Sequence, residues 1–350
     1  MRSFTHINAR TVDEAVAAMD KFDGRARLNA GGTDLFGVLK DEFLPEYPEA
    51  VVNIKTIKGL DYIKEEKDQL QIGALTKLST LSESRLLKER YGALAEAAHA
   101  VASPQIRNVA SIGGNICQDV RCSYYRYPRH IGGPIKCARK GNGPCLALKG
   151  DNRYHAILNG RKCFAVCPSD TAVALAVYDA QVVVVGPHGK RMLSLKSFYT
   201  PTGNLLEKNE MVTEIVVPSV TGQARQSFQK FTLRSPIDFA IVSVASLITV
   251  VDGICTDARI ALGAVASGPH RAAEAEEFLK GRPLDKENAS KAAELALNGA
   301  KSMSKNAYKI KIAKTLVKRA IRGQAVESAP KINFSETTVS DRKCADKRDR

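Results

Sequence analysis

Six of the eight cysteines of this chain fall between Ala102 and Asp170, next to a glycine-rich turn. The stretch opens Ala102-Ser103-Pro104-Gln105-Ile106-Arg107-Asn108-Val109-Ala110-Ser111-Ile112-Gly113-Gly114-Asn115. It closes Cys163-Phe164-Ala165-Val166-Cys167-Pro168-Ser169-Asp170. Thiolates are soft ligands for iron or zinc. Paired glycines let backbone amides converge on phosphate oxygens. The combination predicts a phosphate-bearing cofactor beside a metal centre, the equipment of electron transfer. A second pair lies in Ala30-Gly31-Gly32-Thr33-Asp34-Leu35, directly after an apolar strand. Alone it reads as readily as an ordinary turn. It is not G-x-G-x-x-G, and the chain has no P-loop Gly-Lys-Ser/Thr. Two nests apart in sequence suit a diphosphate gripped from both sides. With Thr76, Ala102, Ser103 and Arg107 they are candidates to hold a dinucleotide outside the Rossmann manner.

The net charge of +15 raises the question of nucleic acid. Its distribution answers differently. Arg121 to Lys162 holds ten Lys/Arg against one acid, Asp151, and this is the segment that carries the cysteines. Four thiolates around an iron–sulfur core leave a negative centre that nearby cations favour. A solvated basic loop is the plain alternative. The cysteines are spread out and form no C-x-x-C, so by spacing alone a four-cysteine zinc site competes. No apolar signal core opens the chain and no run approaches a membrane span. The expectation is a cytoplasmic protein, without membrane or nucleic-acid partner, whose cysteines are ligands and not disulfides. Cys117, Cys167 and Cys255 read as buried thiols, with Cys167 an alternative ligand to Cys163, and Cys344 reads as inert. No residue reads as a nucleophile.

The positioning elements follow from pattern. Thr11 and Glu14 form a capping box ahead of Val12, Ala15, Val16 and Met19. Short strands are predicted at 4–7, 27–30 and 50–54, a hairpin at 62–74, a helix at 92–101, a helix from Ser169 to Tyr178, and strands at 181–185 and 211–217. Residues 118–162 break this rhythm, and a loop of that length needs an internal constraint such as a metal site. His155 and the tyrosines 124, 125, 127 and 154 are expected to pack this loop. After a linker at 218–222, a three-stranded meander (225–233, 240–251, 255–265) precedes helices at 272–279, 286–300 and 308–322. A polar tail over 326–350 is expected to be mobile.

Four motifs in order carry a resemblance: Ala30 to Asp34, Ile72-Gly73-Ala74-Leu75-Thr76, Ile106 to Asn115, and Pro168-Ser169-Asp170. Over roughly Phe4 to Gly323 the chain resembles the FAD-binding medium subunit of the molybdenum hydroxylases, the xanthine and carbon monoxide dehydrogenase family. The resemblance implies an α+β fold. Residues 1–220 would form a bipartite FAD-binding domain of the PCMH/vanillyl-alcohol-oxidase type, with a cysteine-rich insertion at about 118–165. Residues 221–325 would form a C-terminal α/β domain. By the same resemblance, Asn29, Ala30, Gly31, Gly32, Thr33, Asp34 and Leu35 would wrap the FAD diphosphate with Ile112, Gly113, Gly114 and Asn115, next to Ser111. Asp119 and Asp170 would contact the adenosine or ribityl portion, and Lys230 would lie near the flavin ring. The insertion resembles that of the flavin subunit of 4-hydroxybenzoyl-CoA reductase and of some bacterial aldehyde oxidoreductases. That implies a 4Fe–4S cluster on Cys122, Cys137, Cys145 and Cys163. It further implies a molybdopterin-binding large subunit, a small subunit with 2Fe–2S clusters, and ferredoxin or NAD as outer electron partner. A bulky residue at Gly113 is expected to block the cofactor.

Overall fold

The computed structural model describes residues 1–324 except Lys67, Thr221, Ser235 and Pro236. The expected tail at 326–350, with Cys344, lies outside the described residues. Strands β1 (Thr5–Asn8) and β2 (Ala26–Asn29) both pair in parallel with β3 (Ala50–Asn53) between them. Parallel neighbours need crossovers. Helix α1 (Val12–Lys21) links β1 to β2, and α2 (Leu35–Asp41) lies between β2 and β3. Helix α1 starts where its cap predicts: Thr11 Oγ1 accepts from the Glu14 amide at 3.1 Å. The Glu14 carboxylate accepts from the amide of Arg10 at 2.7 Å, one residue before the cap. Ala15, Val16 and Met19 turn the buried face toward the sheet.

The hairpin of β4 (Ile63–Glu66) and β5 (Gln69–Gly73) leads into short helices α3 (Leu78–Glu83), α4 (Arg85–Arg90), α5 (Gly92–His99), α6 (Pro104–Arg107) and α7 (Ile112–Cys117). After the insertion come α8 (Asp170–Val177), strands β6 (Gln181–Gly186) and β7 (Gly189–Ser194), α9 (Leu195–Phe198), and the small pair β8 (Tyr199–Thr200) and β9 (Gly203–Asn204). Strand β10 (Met211–Pro218) closes the set. It inserts between β5 and β6, giving an antiparallel sheet of order β4-β5-β10-β6-β7. Helix α8 is buried on every side, so it must be covered all round. It packs on α5 and on the third sheet.

That sheet has four strands, not the expected three: β11 (Ala224–Phe231), β12 (Val242–Val251), β13 (Ile254–Gly263) and β14 (His270–Arg271). A strand of two residues has no period to read, which is why β14 escapes a pattern search. Helices α10 (Ala273–Leu279), α11 (Lys286–Leu295) and α12 (Tyr308–Arg322) cover one face. Helix α11 stops at Leu295, short of the expected 300. Gly323, at φ 70°, ends α12 in the left-handed conformation that glycine adopts without strain.

Residues 118–165 hold three single 3-10 turns and no longer element. The loop is ordered by what it touches. On one side Val120, Tyr125, Cys137, Cys163 and Ala165 pack on Val38 and Phe43. On the other, Asn152 Nδ2 donates to Ser304 Oγ and Asn152 Oδ1 accepts from the Lys305 amide, at 3.0 and 2.9 Å. Asn306 Nδ2 donates to the carbonyls of His155 and Ala156.

Lys309 completes this clamp from α12. It is 1% exposed, and its Nζ donates to His155 O at 3.1 Å and Ala264 O at 2.5 Å. Among the described residues no carboxylate pairs with it. Burial pulls its pKa down from 10.5 to about 7. The unfolded chain therefore holds this proton through a window in which the folded chain has lost it. Folding is penalised below about 7, and stability rises as pH climbs toward 10.5. The apoprotein melting temperature should rise between neutral and moderately alkaline pH, and Lys309→Met should flatten that rise. An unchanged slope in the variant would assign the effect to other groups.

Candidate cofactor cavity and cysteine pocket

A cavity of about 890 Å³ runs between the first two sheets and the start of the third. It is at the large end for a small-molecule site and has room for a dinucleotide. Ala30, Gly31, Gly32, Thr33, Asp34 and Leu35 line it, as do Ala102, Ser111, Gly113, Gly114, Asn115, Asp119, Asp170 and Lys230. The fold thus gathers fourteen of the eighteen expected cofactor residues around one space.

The two glycine turns are not equivalent there. Between the end of β2 and α2, the amides of residues 31 to 35 donate to no acceptor among the described residues. Five consecutive free N–H groups on a cavity wall form an anion nest. The Asn29 side chain, 5% exposed at the end of β2, leaves its Oδ1 without a partner. The second turn is already satisfied. Ile112 N donates to Thr76 O and Gly113 N to Ala74 O, both at 2.9 Å. Gly114 N donates to Ser111 Oγ at 3.2 Å and Asn115 N to Ser111 O at 2.9 Å. The expectation of a second nest is corrected: the first turn has open amides, and the second is a capped helical turn whose amides are already paired. At Gly113 an added Cβ would lie 2.8 Å from Ala74 O, so a larger residue collides with the end of β5.

Four expected residues stand off the cavity. Asn29 lies behind the nest. Thr76 Oγ1 donates to Tyr62 O at 2.9 Å and accepts from Tyr62 N at 3.0 Å, pinning two loops. Arg107 Nη1 donates to Val101 O and Ala102 O, fixing the turn where Ala102 sits at φ 44°. Ile112 is core. Asn115 lines the cavity, but its Oδ1 accepts from Ser169 Oγ at 2.6 Å and Thr171 Oγ1 at 2.7 Å.

The carboxylates of Asp34 and Asp119 face the insertion. Asp34 Oδ1 pairs with Arg126 at 2.7 Å and Arg121 at 3.0 Å, and its Oδ2 accepts from Asp119 N. Asp119 Oδ1 accepts from Arg139 Nη2 at 2.8 Å and Oδ2 from Tyr125 Oη at 2.6 Å. These pairings neutralise anions that would otherwise repel a phosphate. Arg121 also stacks over Phe239 at 4.6 Å, and both line the cavity. Neither was marked by sequence, because the two come from parts of the chain that meet only in the fold.

Asp170 and Lys230 form a buried pair, Nζ to Oδ2 2.7 Å, with side chains 6% and 8% exposed. Burial pushes the Asp170 carboxyl above its usual range, and Lys230 pulls against that shift. Lys230 also donates to Ala100 O at 2.8 Å, so it bridges β11 to the N-terminal part. Lys230→Met leaves Asp170 buried and unpaired, a loss of about 3–5 kcal/mol for such pairs. The apoprotein should melt several degrees lower, and adding Asp170→Leu should recover most of the loss. A double variant no better than the single one would show that the pair does not carry this stability.

Beyond Asp119, a second, small cavity is lined by Cys122, Cys137, Cys145 and Cys163, together with Tyr124, Tyr125 and Arg139. Cys117 and Cys167 are not in it; both line the large cavity. Cys167 is therefore set apart from the four, and Cys255 lies in the core of the third sheet. His155 Nε2 stands 3.3 Å from Cys122 Sγ, and Ala165 N donates to Cys163 Sγ at 3.5 Å. Burial pushes the Cys122 thiol up to about 11 and also raises Cys163. No group of three or more His, Cys, Asp or Glu among the described residues is arranged to hold a metal ion. The four thiols expected as ligands thus line one cavity, and among the described residues they do not form a metal-holding group.

An open-amide nest on the wall of a dinucleotide-sized cavity suits a phosphate-bearing dinucleotide. The chain belongs to the family described as the FAD binding domain in molybdopterin dehydrogenase, matched over residues 2–220; residues 226–324 match the CO dehydrogenase flavoprotein C-terminal domain. It is 34% identical to the aldehyde oxidoreductase FAD-binding subunit of Escherichia coli (strain K12) over 77% of this chain and 84% of that one. It is 29% identical to the carbon monoxide dehydrogenase medium chain of Hydrogenophaga pseudoflava, over 91% of this chain and 96% of that one. The solved carbon monoxide dehydrogenase from H. pseudoflava superposes with a TM-score of 0.72 at 28% identity, covering 92% of this chain and 96% of that one. No helix among the described residues is long and apolar enough to cross a membrane.

Proposed function

We propose that this chain is the electron-transferring flavin subunit of a molybdenum-hydroxylase-type dehydrogenase. The observation that carries this reading is the run of free amides at residues 31–35 on the wall of a dinucleotide-sized cavity. These amides, with Thr33, would hold the FAD diphosphate; Asp170 and Lys230 would border the rest of the cofactor. Residues 1–220 would form the flavin domain and 221–325 the domain that closes its cavity. FAD takes electrons in pairs and passes them on singly, joining two-electron substrate chemistry to one-electron carriers. The chain's own residues bind and orient it and exclude water. Substrate chemistry would sit on a molybdopterin-binding large subunit and reach this chain through a 2Fe–2S small subunit. Curated relatives are named for aldehyde, nicotinate, carbon monoxide and xanthine, so one flavin seat serves unlike substrates.

We infer that Cys122, Cys137, Cys145 and Cys163 hold a 4Fe–4S cluster, as the likeness of the insertion to that of 4-hydroxybenzoyl-CoA reductase suggests. Four cysteines match the ligand count. They line one small cavity. Such a centre would give FAD a second outlet toward a one-electron carrier of the ferredoxin class. Anaerobically purified protein should show flavin absorbance over a broad brown band, with iron and flavin in the ratio one cubane and one FAD require. A colourless, zinc-containing sample would overturn both assignments.

A further inference from the structure

The flavin cavity and the cysteine cavity share part of one wall: Tyr125 and Arg139 line both. The wall is held as a unit. Asp119 accepts Arg139 Nε at 3.1 Å and Nη2 at 2.8 Å on one oxygen, and Tyr125 Oη at 2.6 Å on the other. The guanidinium lies 5.3 Å from the centre of the Tyr125 ring. Both side chains are nearly buried, 11% exposed for Arg139 and 7% for Tyr125. Arg139 is therefore a fixed cation in a low-dielectric wall. Arg139 lines the cysteine cavity as well as the flavin cavity, whereas Asp119 lines only the flavin cavity. The ion pair is oriented, with its positive end toward the sulfurs.

We infer that Arg139, clamped by Asp119 against Tyr125, is a positioning residue that sets the electron affinity of the centre held by the four cysteines relative to the flavin. This rests on the cluster reading above. Adding one electron to the centre adds one negative charge, and a cation beside it favours the reduced form. Arg139 thus draws electrons from the flavin side toward the cysteine side. Asp119 offsets part of that pull and keeps the guanidinium in place.

The test is an anaerobic redox titration of the full holoprotein, following the cluster by EPR and the flavin by absorbance. Arg139→Gln should lower the reduced-to-oxidised ratio of the cluster about tenfold at fixed potential, which is ~59 mV for a one-electron couple. Asp119→Asn should shift the ratio the opposite way, because it leaves the cation uncompensated. Arg139→Lys keeps the charge and should stay near the parent. Opposite signs in the first two variants are what charge tuning requires and packing damage does not produce. A cluster whose ratio stays at the parent value in both variants, or moves the same way in both, overturns the inference. If Arg139→Gln lost its iron, the sign of the Asp119→Asn shift would decide by itself. A parent protein with flavin but no iron–sulfur signal would instead overturn the cluster reading on which the inference stands.

Discussion

Cys137→Ser should remove the iron and leave the flavin. Cys137 is buried at 5% exposure and lines the small cavity with the other three cysteines, while the open-amide nest is built from residues 31–35 at the far side of Asp119. A serine hydroxyl is a much poorer ligand for iron than a thiolate. Iron per chain should fall below roughly a tenth of the parent value, and the brown absorbance with it, if the four-thiolate requirement holds. Flavin per chain should stay at the parent level. The two sites do share packing, since Cys137 and Cys163 pack with Val38 on α2, the helix that begins at the nest. That contact makes the experiment discriminating. Loss of flavin together with iron would mean that the insertion supports the nest, and that the two centres are not independently seated.

Gly32→Val should weaken flavin binding about a hundredfold while the chain stays folded. Gly32 sits at φ 70°, where a β-branched residue is strained, and its Cβ would lie 2.5 Å from the Phe36 ring and 2.9 Å from Asn29 Oδ1. The left-handed conformation alone costs about 1–2 kcal/mol. Moving the nest to relieve the clash withdraws several amides from the cavity at once. A combined loss of about 3 kcal/mol corresponds to roughly a hundredfold in affinity. Equilibrium dialysis with FAD, alongside circular dichroism of the apoprotein, reads both parts. Gly113→Val is the contrasting variant: its clash is with Ala74, so it should lower the melting temperature. Full flavin occupancy in Gly32→Val would remove the nest from the binding site.

The contrast between these glycines shows how far the sequence could be read. Both turns look alike as strings, and only the tertiary partners of their amides separate them. Thr76 O and Ala74 O occupy one set, and nothing among the described residues occupies the other. Long amphipathic elements were legible. Helix α12 spans the expected 308–322, because its buried residues Ala313, Leu316, Val317, Ala320 and Ile321 recur at helical spacing. Strand β7 was not anticipated, since Lys190 and Arg191 mask its alternation at the sheet edge. The cysteine loop was legible as an interruption of pattern, and the four thiols do meet in one cavity. Arg139 was legible only as one charge among ten. Its place in a wall between two cavities depends on Asp119 and Tyr125, and that meeting has no signature in linear spacing.

The clamp on the insertion has a consequence for how the molecule is made. Ser304, Lys305, Asn306 and Lys309 hold residues 152 to 156, yet they are joined to the growing polypeptide about 150 positions later. A nascent chain that has just emerged through Cys163 has all four sulfurs and none of these fasteners. The thiol pocket therefore takes its final shape only once residues 304–309 have been made, and a frameshift just ahead of them would strip the loop of its anchor while leaving its four cysteines in place.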